Sequence, residues 1–408
     1  MKDLKGDILI LGAGIVGLSL AYRLVERGIS KNILVIEKEK KIGSHTSGRN
    51  SGVLHSGLYY KPETLKAKVC SKGSKRMREW ILDRNLSIND CGKIIVPSSK
   101  SDDKMLDTLF ERGKKNGCDI EMWTNNKINE FIPEAFSYSG RAIWSPKTAV
   151  INPKEVLNQL EKELTQKGVK ILKDSKINNI DSQNRMFEIN NSNKIVYDYL
   201  FNTTGLQSDR VSKLFKIDHP YVLLPFKGLY WKLKTKSGIK INCNLYPVPD
   251  LNVPFLGVHF TPNTRGDVYI GPTATAAWGR ENYNNFENIE PQMAVNNLFI
   301  LGKQYLYNKG GFRRYVHEQA FQSFKPFLIN AAQKLVPGIK AEHIENSDKV
   351  GIRAQLYDLK RMSLVDDFLS INDESSTHVL NAISPAFTSS FELADLIINR
   401  SNLSSSNE

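Results

Sequence analysis

The chain has 408 residues, 40% of them hydrophobic and 24% charged, a composition typical of a soluble globular protein of one or two domains. It contains no run of about 18 apolar residues, so we expect no transmembrane helix, and its start, MKDLKGDILILGAG, lacks a signal-peptide core. The formal net charge of +13 comes from lysines spread along the chain without a nucleic-acid-binding motif, so we predict no nucleic-acid partner.

The cysteines and histidines show no metal-ligand spacing. There is no HExxH motif, no CxxC pair and no carboxylate cluster with ligand spacing, so we predict no metal site. Scattered cysteines suit a reducing compartment, and we therefore predict a cytoplasmic location. The four cysteines are Cys70, Cys91, Cys118 and Cys243.

The first predicted unit, residues 7–37, combines a strand, a glycine-rich turn, a helix and a second strand. The apolar run 8–11 predicts a buried parallel strand, the motif GAGIVG follows at 12–17, and a helical pattern leads to a second apolar run. Glu37 ends that second strand, where an acid can hydrogen-bond the hydroxyls of an adenosine ribose. The unit therefore predicts dinucleotide binding.

Each glycine of the motif has a physical reason. Gly12 permits a tight turn, and Gly14 lets the backbone approach a pyrophosphate at the positive end of the helix. Gly17 allows the helix to pack closely on the strand.

A long loop rich in serine and glycine, KEKKIGSHTSGRNSGVLHSG, follows Glu37, where an NAD dehydrogenase would continue with another strand and helix. Such a loop can run along an extended FAD, as can the segments around Gly205, 351–355 and 381–390; the last precedes a helix predicted at roughly 391–399. FAD is therefore the predicted cofactor, bound by a discontinuous domain. The predicted contacts are Gly12, Gly14, Ile15, Val16, Gly17, Glu37, Lys38, Thr46, Ser47, Asn50, Ser51, Gly52, Ile177, Gly205, Gly351, Ser384, Pro385, Ala386, Phe387 and Thr388.

Longer motifs are spread along nearly the whole chain. They are NSGVLHSGLYY with LKAKVC, CGKIIVP, LPFKGLYWKL, YPVPD, PFLGVHFTP, GIRAQ and VDDF. Together they resemble the FAD-dependent L-2-hydroxyglutarate dehydrogenase (oxidase) family, within the D-amino-acid oxidase/glycine oxidase superfamily. The resemblance implies an α/β fold with a doubly wound, Rossmann-like FAD-binding domain, which we place at 1–87, 146–215 and 346–408. It also implies an α+β substrate domain whose antiparallel sheet covers the flavin, at 88–145 and 216–345.

The resemblance implies oxidation of the CH–OH of an L-2-hydroxy acid, L-2-hydroxyglutarate or similar, to the 2-oxo acid. A hydride goes to flavin N5 while a base, best a histidine, takes the hydroxyl proton. We predict His259 as the base, His55 as a flavin or substrate contact, and Arg353 as the carboxylate-binding residue. Structural imidazoles and an interdomain salt bridge are the alternatives for these three. Further substrate-contact candidates are Lys227, Tyr230, Tyr60 and, beyond these, Lys66.

Two segments depart from the family pattern. The first, YDLKRMSL before VDDF, stands in place of a shorter turn that contains an Asp-Gly. The second lies near the end of the chain. The chain reads NAISPAFTSS, with Ile383 and Phe387, where the family carries a sequence like NAPSPAATSS. Phe387 adds bulk beside the expected flavin and substrate, so another 2-hydroxy acid, a sugar acid or an amino acid stays open. The second candidate activity is oxidation of the CH–NH of an amino acid or secondary amine, and the third is a flavoprotein without turnover.

The predicted partners are a small carboxylate substrate and an electron acceptor, for which oxygen, a quinone and a carrier flavoprotein are the alternatives. Residues 303–336 combine many aromatic side chains with six basic residues, including Arg313 and Arg314, against one acid. Pro326 predicts two short helices rather than one long helix. These helices either pack on their own domain or form a face that docks on the inner surface of the membrane.

Overall fold

A mostly parallel sheet and a larger mixed sheet form the core of the computed structural model, which describes residues 4–190, 193–251, 256–284, 286–308, 311–319 and 321–405. The described helices are α1 Ile15–Glu26, α2 Leu65–Leu82, α3 Lys100–Lys115, α4 Asn125–Phe131, α5 Pro153–Gln166, α6 Ser208–Leu214, α7 Pro291–Tyr307, α8 Phe312–Gln319, α9 Lys325–Gln333 and α10 Ser390–Arg400. Within these residues, no helix is both long and apolar enough to cross a bilayer.

The described strands are β1 Leu4–Leu11, β2 Ile33–Ile36, β3 Val53–Leu54, β4 Ile88–Asn89, β5 Lys93–Val96, β6 Glu121–Thr124, β7 Arg141–Ser145, β8 Ala149–Ile151, β9 Lys170–Leu172, β10 Ile177–Asp181, β11 Met186–Ile189, β12 Asn193–Asn202, β13 Tyr221–Leu233, β14 Asn244–Pro247, β15 His259–Pro262, β16 Val268–Gly271, β17 Thr275–Ala276, β18 Ile344–Asp358, β19 Ser363–Leu364, β20 Leu369–Asn372 and β21 Ser376–Asn381.

The first sheet has the order β10-β11-β12-β1-β2-β9, and β21 pairs in parallel with the end of β12. Strand β1 is central and parallel to both β2 and β12. Its residues Ile8 and Ile10 pack into one hydrophobic cluster with α1, α5 and α10. Leu9 and Leu11 pack into another on the opposite face, because successive side chains of a strand point to opposite sides. The predicted doubly wound sheet is therefore confirmed.

The second sheet has the order β19-β18-β13-β16-β15-β14-β5-β7-β6. Its pairs are antiparallel, as predicted, except that β5 and β14 are parallel. In the long β13–β18 pair, Phe226 lies opposite Arg353 and Gly228 lies opposite Gly351. Strand β18 crosses the predicted domain boundary at residue 346, and the division of the chain into domains stays a prediction.

A small sheet, β3-β8-β4, contributes side chains to the cores of both larger sheets: Leu54 and Ala149 pack into the cluster with α1, and Val53 and Val150 into the cluster of the mixed sheet. Strand β3 lies within the serine- and glycine-rich loop and directly precedes His55. Its pairing with β8 therefore holds this part of the loop in place.

After the end of α7, the segment 303–336 forms two short helices, α8 and α9, which confirms the prediction of two short helices rather than one long helix. Pro326 lies in the first turn of α9, where its missing N–H leaves no helix hydrogen bond unmade. Within this segment, residues 309, 310 and 320 lie outside the described residues.

Candidate active site

One large cavity extends from the N-terminus of α1 to the face of the mixed sheet, with a volume of about 1670 Å³ including its open mouth. Most of the predicted cofactor contacts line it: Gly14, Ile15, Val16, Thr46, Ser47, Asn50, Ser51, Gly205, Gly351, Ser384, Pro385, Ala386, Phe387 and Thr388. The cavity therefore brings together five separate segments of the chain, at 14–16, 46–51, 205, 351 and 384–388.

The glycine turn packs too closely for side chains. Gly12 has a φ of 97°, and a Cβ on Gly17 would come within 2.0 Å of the Gly12 carbonyl oxygen. A Cβ on Gly14 would come within 2.9 Å of Ser47 Oγ, which accepts a hydrogen bond from Ile15 N. Neither Gly12 nor Gly17 lines the cavity, and both act by shaping the turn.

Glu37, Lys38, Gly52 and Ile177 also lie off the cavity wall. Glu37 is buried, and its carboxylate accepts hydrogen bonds from Ala13 N and Glu39 N, both at 2.9 Å. It thereby ties β2 to the glycine turn, while its contact with a ribose stays a prediction.

Ile177 begins β10, two residues after Ser175, whose amide donates to the Glu37 carbonyl. Gly52 leaves no room for a side chain, since a Cβ there would come within 2.3 Å of the Ile151 carbonyl oxygen.

The cavity fits FAD. A helix N-terminus with a glycine-rich turn lies at one end, and a wall of mostly small residues from 384–388 and 46–51 follows, in which Arg49 is the charged side chain. At the other end, Gly351 approaches the loop so closely that a Cβ would lie 2.6 Å from the Arg49 carbonyl oxygen.

His259 lies in the cavity wall at the start of β15 and is 5% exposed. Its Nδ1 lies 2.8 Å from the Gly257 carbonyl oxygen, which can only accept, so Nδ1 carries the proton and Nε2 keeps its lone pair. Burial lowers the pKa of His259 to about 3; the Gly257 hydrogen bond opposes this change, and Lys93 and Arg353 add to it. The imidazole is therefore neutral and able to accept a proton.

His55 lines the same cavity. Its Nε2 lies 3.4 Å from Ser384 Oγ, and its backbone amide donates to Thr388 Oγ1 at 3.2 Å. Burial, followed by the charges of Lys93, His259 and Arg353, holds the pKa of His55 well below its usual range. Both predicted histidines thus face one space.

Arg353 and Tyr230 also line the cavity, from the paired strands β18 and β13. Burial raises the pKa of Tyr230 to about 12, and the charge of Arg353 acts against that change. Arg353 is the cation among these residues that can bind a substrate carboxylate in two-point fashion.

Lys227 and Tyr60 do not line the cavity. On β13, Phe226, Gly228 and Tyr230 face it, so Lys227 points to the opposite side by the period of two along a strand. Its Nζ donates to the Asn284 carbonyl at 3.5 Å. Tyr60 lies behind the wall, where burial holds its pKa well above the usual range.

Two residues at the site were not predicted from the sequence. Tyr246 of β14 lines the cavity and stacks on His259, and Lys93 of β5 lies behind it with its Nζ 4.6 Å from the Tyr246 ring centroid. Both occur in motifs noted above, YPVPD and CGKIIVP. The one signal in the sequence is a lysine placed directly before the apolar run 94–96.

Glu39, His45 and Glu281 form the one three-residue group in the described ranges whose ligand atoms lie close enough to hold a metal ion. The Nζ of Lys38 lies 2.5 Å from Glu39, 2.8 Å from Glu281 and 3.2 Å from His45. Because this ammonium contacts both carboxylates and the imidazole, the group forms a network that ties loop 38–50 to the segment near residue 281.

Solved structures show the same fold at low sequence identity. The L-alpha-glycerophosphate oxidase from Mycoplasma pneumoniae with FAD bound matches with a TM-score of 0.75 and 20% identity, over 98% of this chain and 94% of that one. The glycine oxidase from Geobacillus kaustophilus matches with a TM-score of 0.70 and 13% identity, over 97% and 94%.

Several proteins have a higher sequence identity to this chain than these two structures have. An L-2-hydroxyglutarate dehydrogenase of Caenorhabditis elegans is 35% identical over 96% of this chain and 92% of its own length. The human protein of that name is 34% identical over 96% and 87%, and that of Indibacter alkaliphilus is 32% identical over 96% and 97%. Residues 7–400 match the family of FAD-dependent oxidoreductases. The chain therefore belongs to the FAD-dependent oxidoreductase family and, within it, to the family of the L-2-hydroxyglutarate dehydrogenases.

Proposed function

We propose that this protein oxidises the CH–OH of L-2-hydroxyglutarate, or of a similar L-2-hydroxy acid, to the 2-oxo acid. The observation that carries the proposal is the joint presence of His259 and Arg353 on one cavity wall, next to the FAD-binding segments. A base and a carboxylate-binding cation are the two groups that this oxidation requires of the protein.

Bound FAD supplies the acceptor for the hydride that leaves the substrate Cα. It would be held by the α1 turn, loop 46–51 and loop 384–388. Arg353 binds the substrate carboxylate and thereby orients the Cα–H bond. His259 takes the hydroxyl proton at Nε2, since Nδ1 is committed to the Gly257 carbonyl.

The low pKa of His259 is compatible with this role. A buried cation-rich site disfavours the imidazolium, as Lys93 and Arg353 do here. A bound anionic substrate adds negative charge beside the imidazole and raises its proton affinity at the moment when a base is needed.

Ile383 and Phe387, which depart from the family pattern, both line the cavity. Phe387 is half-buried and borders the site from the C-terminal loop. Its ring takes up space beside the site, and for this reason the proposal includes L-2-hydroxy acids other than L-2-hydroxyglutarate.

An anaerobic substrate panel tests the activity. The purified holoprotein is mixed with L- and D-2-hydroxyglutarate, L-lactate, glycine and L-proline, and the flavin absorbance is followed. Bleaching by the L-hydroxy acids supports the proposal. Bleaching by the amino acids alone would replace it with CH–NH oxidation, and no bleaching at all would favour a flavoprotein without turnover.

We further propose that electrons leave the protein at a membrane surface. Helices α7 to α9 bury Leu328 and Ile329 in the core, but they leave large apolar side chains in solvent. This docking face consists of Val295, Leu298, Phe299, Leu306, Tyr307, Phe321, Phe324 and Phe327.

The charge around the docking face favours anionic lipid. Helices α7 and α9 contain no acidic residue, and Lys303, Arg313 and Arg314 are exposed on α7 and α8. Gln319, at the end of α8, lines the flavin cavity two residues before Phe321. A docked membrane would therefore lie beside the cavity, where a quinone can receive the electrons.

A further inference from the structure

Lys93 is a buried cation beside the active site. It lies on β5 between β14 and β7, its side chain is fully buried, and its Nζ has no hydrogen-bond partner within the described part of the chain. An ammonium in such a place is costly to bury unless other groups compensate.

Two aromatic rings provide that compensation. The Nζ of Lys93 lies 5.0 Å from the ring centroid of Tyr59 and 4.6 Å from that of Tyr246. An ammonium over a ring face is attracted by the ring quadrupole, and the attraction grows when water is excluded. Burial lowers the pKa of Lys93 only to about 8, so the side chain remains mainly charged at neutral pH.

The ring of Tyr246 connects Lys93 to the reaction centre. Its centroid lies 3.8 Å from that of His259, with 19° between the ring planes. Lys93 itself does not line the cavity, whereas Tyr246 and His259 both do. One ring therefore contacts the ammonium and also supports the imidazole that receives the substrate proton.

We propose that Lys93 is a positioning residue for the oxidation: it fixes Tyr246 and the His259 imidazole stacked on that ring, and it keeps one positive charge behind the cavity. This inference rests on the proposed function. The charge disfavours an imidazolium at both His259 and His55, so that His259 stays a competent base under mildly acidic conditions.

Other groups also face this region. For His259 and His55, Lys93 is the largest charged contributor, and Arg353 adds a second positive charge. The groups that act on Lys93 itself are the thiols of Cys70, Cys118 and Cys91, whose pKa values burial raises, so they are neutral at neutral pH. Lys93 and Arg353 thus set the local charge.

The test compares Lys93→Met, which keeps the length but removes the charge, with Lys93→Arg, which keeps the charge. The rate of anaerobic flavin reduction by L-2-hydroxyglutarate is measured against pH. In Lys93→Met, loss of the repelling charge raises the imidazole pKa, so the acid limb of the profile moves up by about one pH unit. In Lys93→Arg, which keeps the positive charge, the acid limb lies closer to its wild-type position than in Lys93→Met.

Lys127→Met is the matched control. Its Nζ also lies over a ring, 5.9 Å from the Trp123 centroid, but the side chain is exposed and does not line the cavity. The substitution Lys127→Met should leave the pH profile of flavin reduction unchanged. An unmoved acid limb in Lys93→Met that carries normal FAD would overturn the proposal.

A second measurement does not depend on turnover. In the holoprotein without substrate, NMR of carbon-labelled histidine follows the titration of His259 and His55, and both should titrate at higher pH in Lys93→Met than in the wild type. If L-2-hydroxyglutarate is not oxidised, this readout still decides the role of Lys93. Should Lys93→Met fail to fold, nitrogen NMR of the wild-type lysines decides instead: a neutral Lys93 amine at neutral pH overturns the proposal, and a charged one supports it.

Discussion

The imidazole of His259 and the phenol ring of Tyr246 stack with their centroids 3.8 Å apart and 19° between their planes. They come from β15 and β14, adjacent antiparallel strands of the mixed sheet. The Gly257 carbonyl fixes the ring from one side through Nδ1, and the Tyr246 ring supports its face. The imidazole, which we propose to be the base, is thus held in one orientation before substrate binds, which is how a protein keeps a reacting group in place.

Replacing His259 with Ala should slow anaerobic flavin reduction by about 100-fold or more, because a positioned base is lost. Stopped-flow absorbance with L-2-hydroxyglutarate measures the rate. FAD content should stay normal, since none of the predicted FAD contacts is altered. His343→Ala, outside the cavity wall, is the control. A near-wild-type rate in His259→Ala would move the base to His55 or exclude a side-chain base.

Arg353→Ala should mainly weaken substrate binding, by about 2–5 kcal/mol if the carboxylate pair is buried. The concentration dependence of flavin reduction gives the substrate Kd and the limiting rate separately. Arg353→Lys should recover part of the affinity, since it keeps the charge but loses the two-point geometry. Arg265→Ala, on an exposed loop, controls for the loss of one positive charge. An unchanged Kd in Arg353→Ala would contradict the assignment.

Gly17→Ala should abolish FAD binding and lower the melting temperature. Its Cβ would lie 2.0 Å from the Gly12 carbonyl oxygen, so the turn that faces the pyrophosphate must distort. Flavin absorbance per mole of protein measures the loss. Gly302→Ala in α7 is the control, because its Cβ meets nothing within 4 Å. There, helix propensity favours alanine by up to about 1 kcal/mol. Full FAD occupancy in Gly17→Ala would disprove the packing argument.

Asp209 and Arg280 form a buried bidentate ion pair, with Nη1–Oδ1 at 2.5 Å and Nη2–Oδ2 at 2.9 Å. Burial alone would raise the pKa of Asp209, but Arg280 holds it below the usual value. The pair therefore stabilises the fold above the ordinary aspartate pKa, and this contribution disappears as the pH falls through the lowered one.

Asp209→Asn should thus cost about 3–5 kcal/mol of unfolding free energy at neutral pH, since it leaves the Arg280 charge buried and unpaired. Urea unfolding at neutral and acidic pH measures this, and the difference from wild type should shrink in acid. Asp107→Asn, in an exposed pair with Arg141, should cost at most about 1 kcal/mol. Equal costs for the two variants would contradict the burial argument.

The parts of the site that depend on a few consecutive residues could be predicted from the sequence. The glycine turn is readable because tight backbone packing admits one residue type, and the buried strand β1 is readable from its apolar run. Lys227 was predicted as a substrate contact but does not line the cavity, because a motif does not show which face of a strand meets the cavity. Lys227 is adjacent to Gly228 on β13 and therefore points to the opposite face. Lys93 and Tyr246 were missed because their proximity depends on the parallel pairing of β5 with β14, two strands far apart in the chain.

The docking face on α7 to α9 should bind anionic membranes. Co-sedimentation with liposomes should occur with anionic but not with zwitterionic phospholipid, and should weaken as salt screens the charges. Arg313→Glu with Arg314→Glu should weaken binding by about 1 kcal/mol or more per residue. Phe299→Ser with Phe324→Ser should also weaken it, because both rings are exposed and would enter the headgroup boundary.

Net charge alone must be separated from the position of the charges. Lys104→Glu with Lys115→Glu, both exposed on α3, changes the net charge as much as the arginine pair does. If the docking face acts as a site, this control retains most of the binding that Arg313→Glu with Arg314→Glu loses. If both pairs lose binding equally, the attraction is a general property of a basic protein. If the wild type stays in the supernatant with anionic liposomes at low salt, the membrane proposal fails and a soluble electron acceptor takes its place.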